Sequence, residues 1–220
     1  MVHQTIQMER KEFLVKASLA AFAISACGTI KPTSAEGIST EGDGHLIGDC
    51  KTTNDILGPF YREGAPNRSD LTFAGLPGSH VEIKGQVFKS DCITPLENAL
   101  VEIWHCDTEG TYDNDSDDFK HRAVWTTNKA GEYSFTTILP GKYKNGGLFR
   151  PAHVHFRLTS PVTKELVSQI YFTGDPHIAK DPWASKKEAN FRILPVILED
   201  TKGNLAVNFD IYLTDSGPTE

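Results

Sequence analysis

His153-Val154-His155 is the tripeptide most able to carry chemistry in this chain. In an extended strand, residues two apart point to one face, about 7 Å apart, so both imidazoles can turn toward one metal ion. The same pair can also sit on a plain surface, and spacing alone leaves both readings open. Arg150-Pro151-Ala152 stands immediately before it. Upstream lie two tyrosines in turn contexts that read as exposed: Tyr112, after Gly110-Thr111, and Tyr143, after Pro140-Gly141-Lys142. Each has an ordinary packing reading. Tyr112 fits a half-buried loop aromatic ahead of the acidic stretch 113–118, and Tyr143 fits the packing tyrosine of a sandwich hairpin.

The elements that would position these groups are short and alternate in polarity. His80 to Phe88 and Ala99 to Cys106 switch regularly between apolar and polar residues. Arg122 to Thr126, Gly131 to Ile138, Ala152 to Leu158, Leu166 to Phe172, Phe191 to Leu198 and Leu205 to Leu213 are further strand candidates. Between them Asn128-Lys129-Ala130-Gly131, Leu139-Pro140-Gly141-Lys142 and Lys202-Gly203-Asn204 carry turn residues that admit positive φ or preset it. No long helical period appears, and there is no tandem repeat or second domain. The pattern predicts an all-β fold, an antiparallel β-sandwich with long loops, over residues 50–220. A chain of 220 residues, 39% hydrophobic and 23% charged, has the bulk for one such core. Its formal charge of −7 argues against nucleic acid or an anionic membrane surface as partner, since both need a basic face.

Taken together the motifs resemble the intradiol ring-cleavage dioxygenases, which include protocatechuate 3,4-, catechol 1,2- and hydroxyquinol 1,2-dioxygenases. The likeness rests on Gly58-Pro59-Phe60-Tyr61, on Trp104 followed by Gly110-Thr111-Tyr112, on Thr136 with Pro140-Gly141-Lys142-Tyr143, on Arg150-Pro151-Ala152-His153-Val154-His155, and on Gln169. It covers roughly residues 53–174. The resemblance implies a prealbumin-like sandwich core and a non-haem Fe(III) held by Tyr112, Tyr143, His153 and His155. The residue types agree, because a phenol ionises at neutral pH only beside strong positive charge, and phenolate is a hard donor that favours Fe(III). Zinc sites favour Cys, His and carboxylate instead. The implied activity is cleavage of a catechol-type ring by O2, between the two hydroxyl-bearing carbons, to a cis,cis-muconate-type diacid. Tyr143 is the implied phenolate that substrate displaces. Arg150 is the implied partner for anionic substrate, with a surface salt bridge as its plain alternative. Gln169, on the next strand, could bond developing oxygen charge or be a solvated edge residue. Gly58, Pro59, Phe60 and Tyr61 would wall the substrate pocket or simply pack a turn. Once the expected signal peptide is removed, the mature chain is expected to lack space for the long helical segment through which catechol 1,2-dioxygenases dimerise. It therefore more closely resembles a lone protocatechuate-type subunit core, a type compatible with a homo-oligomer.

The N-terminus reads as an export signal. Arg10-Lys11 precedes a mostly apolar run from Phe13 to Ala26, too short to span a bilayer, ending in Ile24-Ser25-Ala26-Cys27-Gly28. That ending resembles the bacterial lipoprotein cleavage box. It predicts a signal peptide over 1–26, lipidation at Cys27, a flexible tether over 27–49, and a protein exported and lipid-anchored to a bacterial membrane, on its periplasmic or cell-surface side. Arg10-Lys11-Glu12-Phe13-Leu14 is also a near-miss of a twin-arginine signal. An oxidising compartment allows one disulfide among Cys50, Cys92 and Cys106. Cys50 and Cys92 both read as loop positions and are the expected pair, whereas Cys106 follows Trp104 on a strand pattern and faces the core. Asp115, Asp117 and Asp118 fit no calcium loop and read as a solvated face. The competing function is a non-catalytic sandwich lipoprotein for adhesion or carbohydrate binding, which accounts for the fold and the hairpin tyrosine but gives His153-Val154-His155 no task.

Overall fold

The computed structural model describes residues 50–201 and 203–216. The signal, the lipidation site and nearly all of the tether expected from the sequence lie outside the described residues. Twelve strands follow in chain order: β1 His80–Phe88, β2 Leu100–Trp104, β3 Arg122–Thr126, β4 Glu132–Ile138, β5 Tyr143–Asn145, β6 Leu148–Arg150, β7 His153–Thr159, β8 Leu166–Phe172, β9 Ile193–Leu194, β10 Ile197–Leu198, β11 Leu205–Asn208 and β12 Ile211–Tyr212. One five-stranded sheet runs β10-β11-β1-β12 with β4 paired to β1, the other runs β3-β2-β7-β8-β9, and β5 and β6 form a separate hairpin. The sandwich expected from the alternation is present. Its long ladders, β1 with β4 and β2-β7-β8, are antiparallel, while β1 pairs in parallel with β11 and β12, and β8 with β9.

The alternation does its work at the core. Val81, Ile83 and Val87 of β1, Val101 and Ile103 of β2, Tyr133 and Phe135 of β4, and Val154, Phe156 and Leu158 of β7 all turn into one buried cluster between the sheets. Their intervening neighbours face outward, as period-two geometry requires. His105 crosses the layers just beyond β2: Nδ1–H donates to the Cys106 carbonyl, leaving Nε2 to accept from the Thr137 hydroxyl of β4 at 2.8 Å. Burial holds its pKa down at about 3, so the ring is neutral.

Two expected strands are broken. Phe191 to Leu198 is not one strand: residues Lys187–Arg192 coil into a 3₁₀ turn, and Pro195, which has no N–H for a ladder, separates two-residue β9 from β10. Leu205 to Leu213 splits into β11 and β12, because Phe209 and Asp210 kink out between them, with Phe209 N–H donating to the Lys84 carbonyl and Asp210 Oδ1 accepting from Gln86 N–H. The β5–β6 hairpin was not anticipated as strand at all.

Cys50 and Cys92 are disulfide-bonded, and Cys106 is free and buried. The bridge ties the chain entering the domain to the turn between β1 and β2, with 42 residues of sequence separation. Closing a loop of that size removes unfolded-chain entropy worth about 2–4 kcal/mol. Cys92→Ser is therefore expected to lower stability by about that much, as a downward shift in the urea midpoint. A wild-type midpoint that does not respond to reductant would show that the bridge contributes nothing.

Candidate active site

The site is built on the outer face of the second sheet, opposite the core. On β7 the residues between the core-facing Val154, Phe156 and Leu158 are His153, His155 and Arg157. Register aligns Trp104 of β2, His155 of β7 and Gln169 of β8 in one row, and pairs His153 with Tyr171 in the next. This face is not left to solvent. His153, His155, Gln169 and Tyr171 are each at most 2% exposed, because loops fold over them.

The first loop carries Gly58-Pro59-Phe60-Tyr61. Gly58 lies against the His155 ring, where an added Cβ would sit 3.2 Å from Cε1. Phe60 stacks on Tyr112, with centroids 4.2 Å apart and an 18° tilt, and meets Tyr143 edge-on. Tyr61 does not join this group. Its ring packs on Trp104, and its hydroxyl is engaged by Glu102 and Arg157. Buried Arg122, which the sequence marks only as the start of a strand, holds the arrangement by donating to the Phe60 carbonyl at 2.6 Å and the Asp113 carbonyl at 2.8 Å.

The second and third loops bring the tyrosines. Both follow the pattern Gly-x-Tyr, and the structure gives the reason. A Cβ on Gly110 would stand 2.5 Å from the Lys142 carbonyl oxygen and 3.0 Å from Tyr143 Cα, and a Cβ on Gly141 would stand 2.2 Å from the Thr108 carbonyl oxygen. The two loops therefore touch backbone to backbone, and Gly141 N–H donates to the Asp107 carbonyl across the contact. Gly110 also has φ of +85°, which an L side chain resists. Asp107 secures its own loop, with Oδ1 accepting from the N–H groups of Glu109 and Thr111.

The four side chains expected to share an ion converge. The Tyr112 hydroxyl lies 3.3 Å from His153 Nε2, the His153 and His155 ring centroids are 4.9 Å apart, and the Tyr143 ring is 5.7 Å from Tyr112 and 5.6 Å from His153. Tyr112 is buried rather than exposed in its turn, and Tyr143 is half-buried. His153 Nδ1–H donates to the Pro151 carbonyl at 2.7 Å, which fixes the tautomer and leaves Nε2 as a lone pair toward Tyr112. His155 stacks on Trp104 at 4.7 Å, and its buried Nδ1 has no hydrogen-bond partner among the described residues. Burial keeps both imidazoles neutral, with His153 held down at about 4 and His155 well below its usual range. Burial also pushes the Tyr112 phenol far above its ordinary value, so without a nearby cation it stays protonated. No group of three His, Cys, Asp or Glu side chains gathers among the described residues, so the donors assembled here are phenol and imidazole. Neutral imidazole lone pairs beside phenols that need a strong positive charge to ionise form a set suited to a hard trivalent ion.

Arg150 and Gln169 are not at the surface. Arg150 is 2% exposed and pairs with buried Asp181 through Nε to Oδ2 at 2.8 Å, with one terminal nitrogen 3.3 Å from Oδ1. The same nitrogen reaches Gln169 Oε1 and the Tyr171 hydroxyl, and Tyr143 is the residue paired with Arg150 across the β5–β6 hairpin. Gln169, at 0% exposure, donates its amide to the Ile56 carbonyl at 2.8 Å, which excludes the solvated-edge reading. Behind this row a second buried ion pair, Arg192 with Asp55 at 2.6 Å, receives the Tyr171 hydroxyl on the Asp55 carboxylate. Tyr171 was within reach of sequence reasoning, since it lies two residues after Gln169 on the same strand face. Asp181, Asp55 and Arg192 come from loops with no local signal. A cleft of about 450 Å³ opens beside them, lined in part by Ile56, Trp183 and Lys186.

Comparison with known proteins decides the family. Residues 56–215 match the Dioxygenase_C family, described as Dioxygenase. The chain belongs to the intradiol ring-cleavage dioxygenases. Among relatives of this chain, catechol 1,2-dioxygenase 2 of Acinetobacter lwoffii is 34% identical over 152 residues, 59% of this chain and 54% of the relative. The protocatechuate 3,4-dioxygenase beta chain of Burkholderia cepacia is 33% identical over 162 residues, 65% of this chain and 68% of that one. The solved dioxygenase domain of a dioxygenase carbohydrate-binding protein fusion from Streptomyces sp. SirexAA-E aligns with a TM-score of 0.65 at 27% identity, covering 74% of this chain and 98% of that domain. This chain spans about half the length of the Acinetobacter catechol 1,2-dioxygenases it matches.

Proposed function

We propose that this chain cleaves catechol-type rings with O2 between the hydroxyl-bearing carbons, at an Fe(III) held by Tyr112, Tyr143, His153 and His155, and releases cis,cis-muconate-type diacids. The observation that carries the reading is the meeting of two phenols and two neutral imidazoles in one pocket on the outer sheet face. The iron, when bound, supplies a Lewis acid and template that orients a catecholate and makes its ring electron-rich enough to react with O2. The protein supplies the rest. Two tyrosinates offset most of the trication's charge. His153 is held by Pro151 with its lone pair presented, a ring orientation that costs nothing to reach at the moment of binding. Tyr143, half-buried and paired with Arg150 across the β5–β6 hairpin, is the less enclosed of the two tyrosines, and as a phenolate it would accept the proton of a substrate hydroxyl. Phe60 on Tyr112 walls off water on that side. Arg150 provides positive charge beside the ring oxygens and the product carboxylates.

Colour and oxygen uptake test this directly. The iron-loaded protein is expected to be red-brown from phenolate-to-iron charge transfer, and to consume O2 when catechol, protocatechuate or hydroxyquinol is added. A colourless protein that binds no iron and consumes no O2 with any of the three would overturn the proposal. The N-terminal motif supports a place for this activity: export, removal of residues 1–26, and a lipid anchor at Cys27 on the outer side of a bacterial membrane. Cys27→Ser is expected to move the protein from the membrane to the soluble fraction, and retention in membranes would exclude that anchor.

A further inference from the structure

Asp181 lies in the loop between the 3₁₀ turn Ile178–Lys180 and Lys187–Arg192, distant in sequence from every motif of the site. Its carboxylate nevertheless does two things at once. Oδ2 accepts from Arg150 Nε, and Oδ1 accepts from the backbone N–H groups of Trp183 at 3.0 Å and Ala184 at 2.8 Å, as well as facing the Arg150 terminal nitrogen. The Trp183 ring then lies over the guanidinium it helps enclose, 4.5 Å from Arg150 Cζ. Arg150 is thus gripped in its plane by a fork of carboxylate oxygens and covered on its face by an indole, and both grips originate in one side chain. The remaining guanidinium contacts go to Gln169 and Tyr171, which belong to the sheet, and Tyr143 is the cross-strand partner of Arg150 in the β5–β6 hairpin. A flexible arginine would sample many rotamers, and this one has none to sample.

We infer that Asp181 is a positioning residue that fixes the Arg150 guanidinium beside Tyr143 and, through the same carboxylate, sets Trp183 over it. The inference rests on the function proposed above, since it treats Arg150 as the group facing substrate. A merely structural salt bridge would lower stability and the folded fraction but leave each iron-loaded site as fast as before. A positioning role predicts a fall in turnover per bound iron.

The test uses the full mature chain. Asp181→Asn keeps the shape and the oxygen that caps Trp183 and Ala184 but removes the charge that holds Arg150. It is expected to lower kcat per bound iron by about 100-fold, the scale of a displaced positioning group, with KM changing far less. Because this variant leaves a buried cation without its partner, the double variant Arg150→Gln with Asp181→Asn is measured beside Arg150→Gln alone. If Asp181 acts through Arg150, adding the second change to Arg150→Gln costs less than about threefold in kcat, a coupling that independent sites do not show. Asp181→Asn with kcat per iron equal to wild type, or with the same cost in both backgrounds, would overturn the inference. One arm does not depend on turnover. In iron-free protein carrying Trp125→Phe, where Trp104 is buried, acrylamide quenching reports chiefly on Trp183 and is expected to rise in Asp181→Ala. Unchanged quenching would show that Asp181 does not set Trp183, whereas a wild-type protein inert toward catechols with quenching that rises as expected would instead sink the dioxygenase reading.

Discussion

His155→Ala is expected to leave a folded domain that no longer retains iron or consumes O2. The two halves of that expectation come from opposite faces of one sheet. On the outer face, His155 is one of the four donors proposed above, and a trivalent ion left with one imidazole and two phenolates would lose a neutral ligand and with it a fixed position. On the inner face nothing changes, since Val154 and Phe156 keep their places in the core. Truncating the ring removes its stack on Trp104, a cost toward the lower end of about 2–5 kcal/mol for large-to-small buried changes. Part of that cost is offset, because the variant also deletes a buried nitrogen with no hydrogen-bond partner. Metal content by mass spectrometry, the visible band and the near-ultraviolet circular dichroism separate these effects. An iron-replete, active variant would remove His155 from the ligand set, and loss of the near-ultraviolet signal would mean that the outer face supports the core after all.

Gly110→Ala and Gly141→Ala are expected to cost nearly as much activity without touching a donor atom. Each added methyl would enter the space where the Tyr112 and Tyr143 loops meet, against carbonyl oxygens that cannot swing aside as a side chain would. The loops must part, and the two phenols part with them. A displacement on the order of 1 Å at a reacting group costs about 100-fold in rate, and overpacking costs about 1–3 kcal/mol of stability. Gly110 adds a backbone penalty for its positive φ, whereas Gly141→Ala carries the wedge alone. The measurements are kcat per iron and the position of the charge-transfer band, which is expected to shift as phenolate geometry changes. A Gly141→Ala enzyme with wild-type colour and rate would show that the loops do not set the tyrosines.

Much of this was legible in the sequence because period-two alternation is a local signal. The ranges of β1, β3 and β8 follow from it, and so does the common face of His153 and His155, since any strand long enough to contain both must point them together. Gly110-Thr111-Tyr112 and Gly141-Lys142-Tyr143 were visible as patterns, although why each tyrosine needs a glycine two residues earlier emerges only when the loops cross. Where the reading failed, the deciding contact was remote. Nothing near Tyr112 indicates that Phe60, some fifty residues earlier, will stack on it and bury it. Nothing near Gln169 indicates that Arg150 and Ile56 will occupy both ends of its amide, or near Arg150 that Asp181 will meet it in the interior. The break in the stretch from Phe191 to Leu198 did have a local sign, Pro195, which was outweighed by the aliphatic residues around it.

A sandwich used only for packing has little reason to bury an imidazole with an unpaired nitrogen beside two phenols. The arrangement on β7 has a further consequence for how such a chain can change over generations. On that strand His153 and His155 face the candidate site while Val154, Phe156 and Leu158 face the core, so losing or gaining a single codon before His153 or between these residues would exchange the faces of those on one side of the change. Histidines would be driven between the layers while valine and phenylalanine emerged among the loops, ruining both roles in one event. Point replacements keep the roles separate. On the function proposed above, new preferences for ring substituents would arise through the covering loops, where length can drift, rather than through the strand beneath.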